Sequence, residues 1–421
     1  MTRDAAHPRP PQVRPLPALR VPALAQATAG LALVLLSACQ DPSTVGLGLI
    51  DEDSPNPNVR VIEATSVDTV RYDLVTSGLA DGPSPTQSRV LVGSVRDPLY
   101  GDAEARAYVD AIAPSLPSGF DERPITRVTL ELRREYAYGD TTTALGMELR
   151  QVTGAWSPTG LPSDTTLGTG DLLTTATVSV ADSVVVFTLP QTWVAANDSL
   201  FSSTSFGSSF EGFELRPTTT AGAGAVYGFN VTQLSSVPAR RGQIRVTTSR
   251  DTVVFPLSEV YTRLTSGTPG MAPMGRRLVR AGSATGIKLT FDFADLIRLP
   301  VSQASLRLPL DPALAGADGP FKRPLARFGT LFVRENTGQA GFLTPVQALG
   351  STDLRTTLPA ELTHFVQQLV LGQRTFRQFE VRFSDVLQSS TVSLDVLPVI
   401  TDGTTQTTRP RLSVTVVSAT P

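Results

Sequence analysis

A single cysteine, Cys39, stands in the whole chain, so no disulfide can tie the fold together and no thiol nucleophile exists elsewhere. Histidine is confined to His7 and His364, which excludes a zinc site built from several His or Cys ligands. Lysine occurs only at Lys288 and Lys322, and arginine carries the positive charge. The formal net charge of −2 gives no electrostatic case for a nucleic-acid partner. Aromatic residues make up 6% of the chain, low for a surface that grips polysaccharide through exposed rings. The apolar run from Val21 to Leu36 is too short and too rich in small residues for a membrane span.

That run ends in Leu36-Ser37-Ala38-Cys39, preceded by Arg14 and Arg20. The motif resembles the lipobox of bacterial lipoproteins, in which a lipid is joined to the cysteine sulfur and the chain is cut just before it. The resemblance implies a signal peptide over 1–38, cleavage between Ala38 and Cys39, and a covalent lipid on Cys39 as the only prosthetic group. Buried acyl chains contribute ~0.8 kcal/mol per CH₂, so a multiply acylated cysteine is a permanent anchor. Gln40 follows the cysteine, where an Asp would favour inner-membrane retention; the expected location is the outer membrane, and its bilayer is the first expected partner. Residues 39–58 are rich in Pro, Gly, Ser and acidic side chains and read as a tether. Asp51-Glu52-Asp53 within it reads as a solvated acidic linker rather than a cation site.

Beyond the tether the chain is rich in Thr, Val, Ser and Leu, punctuated by Gly and Pro, which is the composition of an all-β protein with many short strands. Val59 to Tyr72 reads as a first strand pair, with Val61, Ile62, Val67 and Val70 inward. Pro124–Arg133 aligns without gaps on Pro300–Pro309. Val128, Leu130 and Leu132 fall on one face, matched by Ala304, Leu306 and Leu308. Arg127, Thr129 and Glu131 fall on the other, matched by Gln303, Ser305 and Arg307. Period two with one apolar face means an antiparallel strand. Phe213–Arg216 then matches Phe379–Arg382, and Arg241–Thr247 matches Arg409–Thr415. Three matches in the same order imply two homologous units. The expectation is two tandem antiparallel β-sandwich, jelly-roll-like domains, 59–250 and 251–421. Each carries a short capping helix, at Pro190–Ala196 and at Pro359–Leu371, the second ended by Gly372.

These strands, with Phe210–Pro217 and Arg240–Thr248, resemble DNRLRE-type β-sandwich modules related to carbohydrate-binding jelly rolls. The lipobox, Val45-Gly46 and the run Leu91–Gly101 resemble an uncharacterised family of outer-membrane lipoproteins labelled domain of unknown function 4270. The resemblance covers nearly all of the chain after Cys39. It departs in the second unit, which has no copy of Asp97-Pro98-Leu99-Tyr100-Gly101. The family brings no catalytic residues to carry over.

Asp97 and Tyr100 are candidate ligand residues in a loop that also reads as a plain Asp-Pro…Gly turn. Trp156, just after a strand, is a candidate stacking platform for a sugar, with a core position as the competing reading; Trp193 reads as packing beneath its helix. Glu131, Glu135, Glu148 and Glu214 are the carboxylates available for glycoside hydrolysis, yet any β surface supplies such residues. His364 lacks a Gly-x-Ser-x-Gly turn near it in the sequence and reads as structural. The expected function is a non-enzymatic, lipid-anchored surface protein serving adhesion, assembly or a surface complex. Glycan capture is the alternative, and a glycan-active enzyme the third.

Overall fold

The structure, a computed structural model, describes residues 58–71 and 88–417, apart from 159–160, 163, 204, 219–223, 232–241, 284, 317–318, 335–339, 350–351, 376–377, 384–391 and 403–408. The expected signal peptide, the expected Ala38–Cys39 cleavage junction and all of the expected tether but Asn58 lie outside these residues. From Asn58 onward the chain is one compact unit, and it is all-β, as the composition implied. Among the described residues no helix is long and apolar enough to cross a membrane.

The strands of the first half are β1 (Val59–Arg71), β2 (Arg89–Asp97), β3 (Gly101–Ala111), β4 (Ile125–Asp140), β5 (Leu145–Val152), β6 (Thr169–Val178), β7 (Val184–Thr188), β8 (Phe213–Pro217), β9 (Ala225–Asn230) and β10 (Gln243–Thr248). Three helices, α1 (Gln191–Ala196), α2 (Asp198–Ser202) and α3 (Phe206–Ser209), lie between β7 and β8. The second half holds β11 (Thr252–Ser266), β12 (Arg276–Arg280), β13 (Thr285–Phe291), β14 (Val301–Pro309), β15 (Phe321–Lys322), β16 (Phe328–Arg334), β17 (Ala340–Leu349), β18 (Asp353–Thr356), α4 (Pro359–Val370), β19 (Gln378–Arg382), β20 (Val396–Ile400) and β21 (Arg411–Val416).

Two large antiparallel sheets result. One runs β11-β10-β4-β9-β2-β3-β8-β5-β6, with β7 and β15 also on β4 and with β11 returning to β3. The other closes on itself as β1-β13-β19-β16-β17-β18-β14-β21, and β12 pairs with β20 beside it. The duplicated segments pair in the same register. Leu130 faces Ile244 and Val128 faces Val246; Leu306 faces Leu412 and Ala304 faces Val414. Likewise Leu215 faces Ala107 in one sheet and Val381 faces Ile287 in the other.

Strand membership crosses the divide expected at Arg250–Asp251. That divide falls in a tight turn where Thr248 N–H donates to the Asp251 carbonyl, and β10 and β11 are neighbours on either side of it. β11 therefore belongs to the first sheet. β1, the first strand in the chain, belongs to the second, between β13 and β21. The two occupy matching places. Ile62 pairs with Leu412 as Phe255 pairs with Ile244, and Thr69 pairs with Ile287 as Thr262 pairs with Ala107. The N-terminal strand closes the C-terminal body.

The strand pair expected over Val59–Tyr72 is one strand, β1, and of its expected inward set Val61 and Val70 are not among the residues packed on the core. A bulge between Ala64 and Ser66 adds a residue and flips the phase of the strand. Ile62, Ala64 and Val67 pack on the core, whereas Val61 points to solvent. Thr129 is a second correction. It was expected to be solvated, but β10 and β7 flank it on both sides and leave it buried.

The helices do what a capping element must. α4 starts on Pro359 and ends where Gly372 takes φ +74, with Gln373 N–H reaching back to the Gln368 carbonyl. Its Leu362, Phe365, Val366 and Val370 are buried in the second core. α1–α3 place Val194, Phe201 and Phe206 in the first core, where Phe206 stacks on Phe210 at 5.0 Å and Phe201 meets Phe255 edge-on at 5.5 Å.

Candidate functional site

The turn between β2 and β3 is where sequence expectation and structure meet. Asp97 Oδ1 accepts hydrogen bonds from Leu99 N–H at 2.8 Å and Tyr100 N–H at 3.3 Å, and Gly101 completes the turn at φ +87. A side chain at Gly101 would collide with the Thr268 carbonyl, 2.6 Å from where its Cβ would lie. The carboxylate of Asp97 is fully buried. Arg323 grips it in a fork, Nε to Oδ2 at 2.8 Å and Nη2 to Oδ1 at 3.2 Å, and Tyr138 Oη donates to Oδ2 at 2.7 Å. Burial alone would raise the carboxyl pKa, but the bonds from Arg323, Tyr138 and Leu99 outweigh it and hold it below the ordinary range. Asp97 thus has its acceptor sites filled from within the protein and works as a fastener.

The fastener pins the segment that passes between the two sheets, since Arg323 directly follows β15 on β4 and Leu325 bridges to Val396 of β20. Arg323 comes from the second half of the chain, and Tyr136 Oη accepts Leu394 N–H at 3.0 Å alongside it. Around them Leu91, Val95, Tyr138 and Val226 of the first sheet pack with Leu394 and Val396. The bulge in β4 between Arg134 and Tyr136 explains how one strand serves both sides. Before it, Leu130 and Leu132 face the first core; after it, Ala137 does, and Tyr136 and Tyr138 turn toward the second body.

Beside this turn lies a cavity of about 410 Å³. Its wall is drawn from the end of β1 (Thr69, Arg71), the β2–β3 turn and the start of β3 (Leu99, Tyr100, Asp102), the end of β11 and the segment after it (Ser266–Gly270), β12 (Arg277, Leu278, Arg280), and Ser283 and Thr285. Arg280 is buried and donates to the Gly101 carbonyl at 2.5 Å and the Asp102 carbonyl at 2.8 Å, which locks the turn in place. Tyr100 is buried as well, and burial followed by the Asp97 charge pushes its phenol well above its ordinary pKa. Tyr100 Oη and Arg280 Nε find no hydrogen-bond partner, at a cost on the order of 1–3 kcal/mol each.

The other sequence candidates lie apart from this place. Trp156 is half-buried with Tyr108, Val152 and Tyr261, its indole N–H donating to the Glu211 carbonyl at 2.9 Å. Trp193 packs on Phe201 and Phe213 and donates to Gln151 Oε1 at 2.9 Å. The carboxylates considered for hydrolysis are engaged by arginine across or along strands. Glu131 pairs with Arg245, Glu135 with Arg89, Glu148 with Arg150 and Arg216, and Glu214 with Arg106. His364 is exposed on α4 beside Gln368, 2.8 Å away. Sequence reasoning missed Arg71, Arg277, Arg280 and Arg323. Single arginines in an arginine-rich chain carry no local signal, and only the fold brings these four to the neighbourhood of one turn.

In comparison with known proteins, no family model matches the chain and no curated protein matches it.

Proposed function

We propose that the chain is a non-enzymatic lipoprotein of the outer membrane, anchored through Cys39, whose β body serves adhesion, assembly or a surface complex. It would then be akin to the outer-membrane lipoproteins that its lipobox and Leu91–Gly101 resemble. The observation that carries the mechanical part is the seating of β1. This strand follows the tether directly and is hydrogen-bonded along both edges, to β21 through Val59–Glu63 and to β13 through Ala64–Arg71. A pull on the tether is shared by two ladders, and through β21 it reaches β14. A body meant to hold something against an anchor is served by that arrangement. The arginine partners of Glu148 support the non-enzymatic side, because a general acid needs a raised pKa and arginine works against it. Glu148, held by Arg150 and Arg216, is kept below the ordinary range even though burial acts the other way.

The anchor is tested by Cys39→Ser. The variant is expected to persist as an uncleaved precursor that takes up no palmitate label, while the wild type takes it up. A wild-type protein free of lipid would end this reading. Protease shaving of intact cells reports which face of the membrane the body occupies, and cross-linking before solubilisation reports its partner.

A further inference from the structure

The cavity beside the β2–β3 turn has an unbalanced charge. Three arginines line it against one carboxylate, Asp102, and that carboxylate has Arg96 3.8 Å away. Arg280 is committed to backbone carbonyls. Arg71 and Arg277 are different. Among the described residues neither has a carboxylate within ion-pairing distance, and the only hydrogen bond from either side chain runs from Arg277 Nη1 to the neighbouring Arg276 carbonyl. Other arginines, such as Arg89, Arg106, Arg216 and Arg307, do meet carboxylates; what sets Arg71 and Arg277 apart is that both line the same cavity. Two guanidinium groups left over at one concave place raise the local positive potential, which a low-dielectric wall focuses. The remaining wall is part apolar, with Leu99, Leu278 and the Tyr100 ring.

We propose that this cavity binds a small ligand bearing an oxyanion, carboxylate or phosphate, with Arg71 and Arg277 holding the oxyanion and the Leu99–Tyr100–Leu278 wall taking the rest. Its volume lies within the range of about 300–1,000 Å³ usual for small-molecule sites, which favour the junctions between packed bodies. Planar guanidinium groups suit both oxyanions because their paired N–H groups match two oxygens at once. The site draws on β1, on the β2–β3 turn and on β12, so a bound ligand bridges the N-terminal strand and both halves of the fold. The proposal goes beyond the anchoring role and does not depend on it.

Titration calorimetry on the full chain in detergent, at low salt, tests it with four probes: glucuronate, glucose 6-phosphate, inorganic phosphate and glucose. At least one anionic probe is expected to bind, glucose is not, and Arg71→Gln and Arg277→Gln are each expected to weaken binding by about tenfold or more. Arg60→Gln, an exposed change on the same strand, is expected to leave it as it was. Phosphate binding as tightly as glucose 6-phosphate assigns a free oxyanion; a preference for the sugar acids assigns the apolar wall to the ligand body. Ligand is also expected to raise the melting temperature of the wild type and of Arg60→Gln, but not of the two cavity variants. No binding of any anionic probe overturns the proposal, as does glucose matching glucuronate or binding that is unchanged in Arg71→Gln. Arg71 is exposed, so a folding defect in that variant is not expected, and its unligated melting curve checks this.

Discussion

At the scale of single residues, the most unusual groups are two carboxylates that the fold holds toward their neutral form. Burial raises Asp110 to about 7, with Glu259 and Glu211 adding repulsion. Burial raises Asp395 to about 6 against the pull of its bonds to Tyr136 and Ser393 and the nearby Arg89 and Arg327. In the unfolded chain an aspartate ionises near 3.9. Between pH 4 and 7 the folded protein therefore holds protons that the unfolded chain has already lost. Stability from these two groups is full below about pH 4 and falls as pH rises through 6 and 7. Asp97 and Glu148 are lowered, so their contribution is present at neutral pH and lost only in acid. The melting temperature is expected to be higher at pH 5 than at pH 8, and Asp110→Asn is expected to flatten that slope; a melting temperature that climbs from pH 5 to 8 would contradict the assignment. None of this was legible in the sequence. Asp110 stands in the run Ala107–Ala111 like any strand residue, and only burial by distant segments, with Glu259 and Glu211 adding repulsion, makes it special. Asp97 was legible as a turn residue because Asp-Pro and Gly act locally, whereas its partner Arg323 lies across the molecule.

At the scale of elements, alternation and turn chemistry carried far. The duplicated strand, the matched pair at Phe213 and Phe379, both capping helices and the stop at Gly372 are local patterns, and the structure contains each of them. What alternation cannot foresee is a bulge, since an extra residue leaves the sequence looking regular. In β1 the bulge brings Ile62 and Val67 onto one face, and in β4 it turns Tyr136 and Tyr138 toward the second body while Ala137 keeps facing the first core. It also cannot say how many neighbours a strand will have, and Thr129 is buried by its neighbours rather than by its own nature. Leu130 and Leu306 sit at the same register position and both are buried. Leu→Ala at either is expected to cost about 2–5 kcal/mol by denaturant titration, from lost transfer energy and the cavity left behind. Val61→Ala, on the exposed side of β1, is expected to stay within about 0.5 kcal/mol. A Val61 change as costly as the leucine changes would show that the bulge in β1 is misplaced.

At the scale of the molecule, the sequence suggested two units in tandem, and the fold joins them more deeply than a tandem order implies. β1 crosses from the N-terminus into the C-terminal body, β11 closes the first body, and the Arg323–Asp97 pair with Tyr136 and Tyr138 seals the contact between them. Long-range exchange of this kind leaves no periodic trace, because a strand reads the same whichever sheet receives it. Its consequence is cooperativity. A body whose closing strand is the first in the chain cannot be completed until the last strands have formed, and its neighbour is bound to it through a buried ion pair. Removing one partner of such a pair strands the other charge, at a cost of about 3–5 kcal/mol. Arg323→Ala is therefore expected to lower stability by roughly that amount, and the double change Asp97→Asn with Arg323→Ala to cost less than the sum of the two single changes. Calorimetry of the wild type is expected to show one transition, which Leu130→Ala and Leu306→Ala each shift as a whole although they lie in different cores. Two separable transitions, with each leucine change moving only one, would mean that the strand exchange and the Asp97–Arg323 contact fail to couple the bodies. Arg323→Ala supplies the remaining arm. If the coupling runs through that contact, this single change is expected to split or broaden the transition, whereas Leu130→Ala only displaces it.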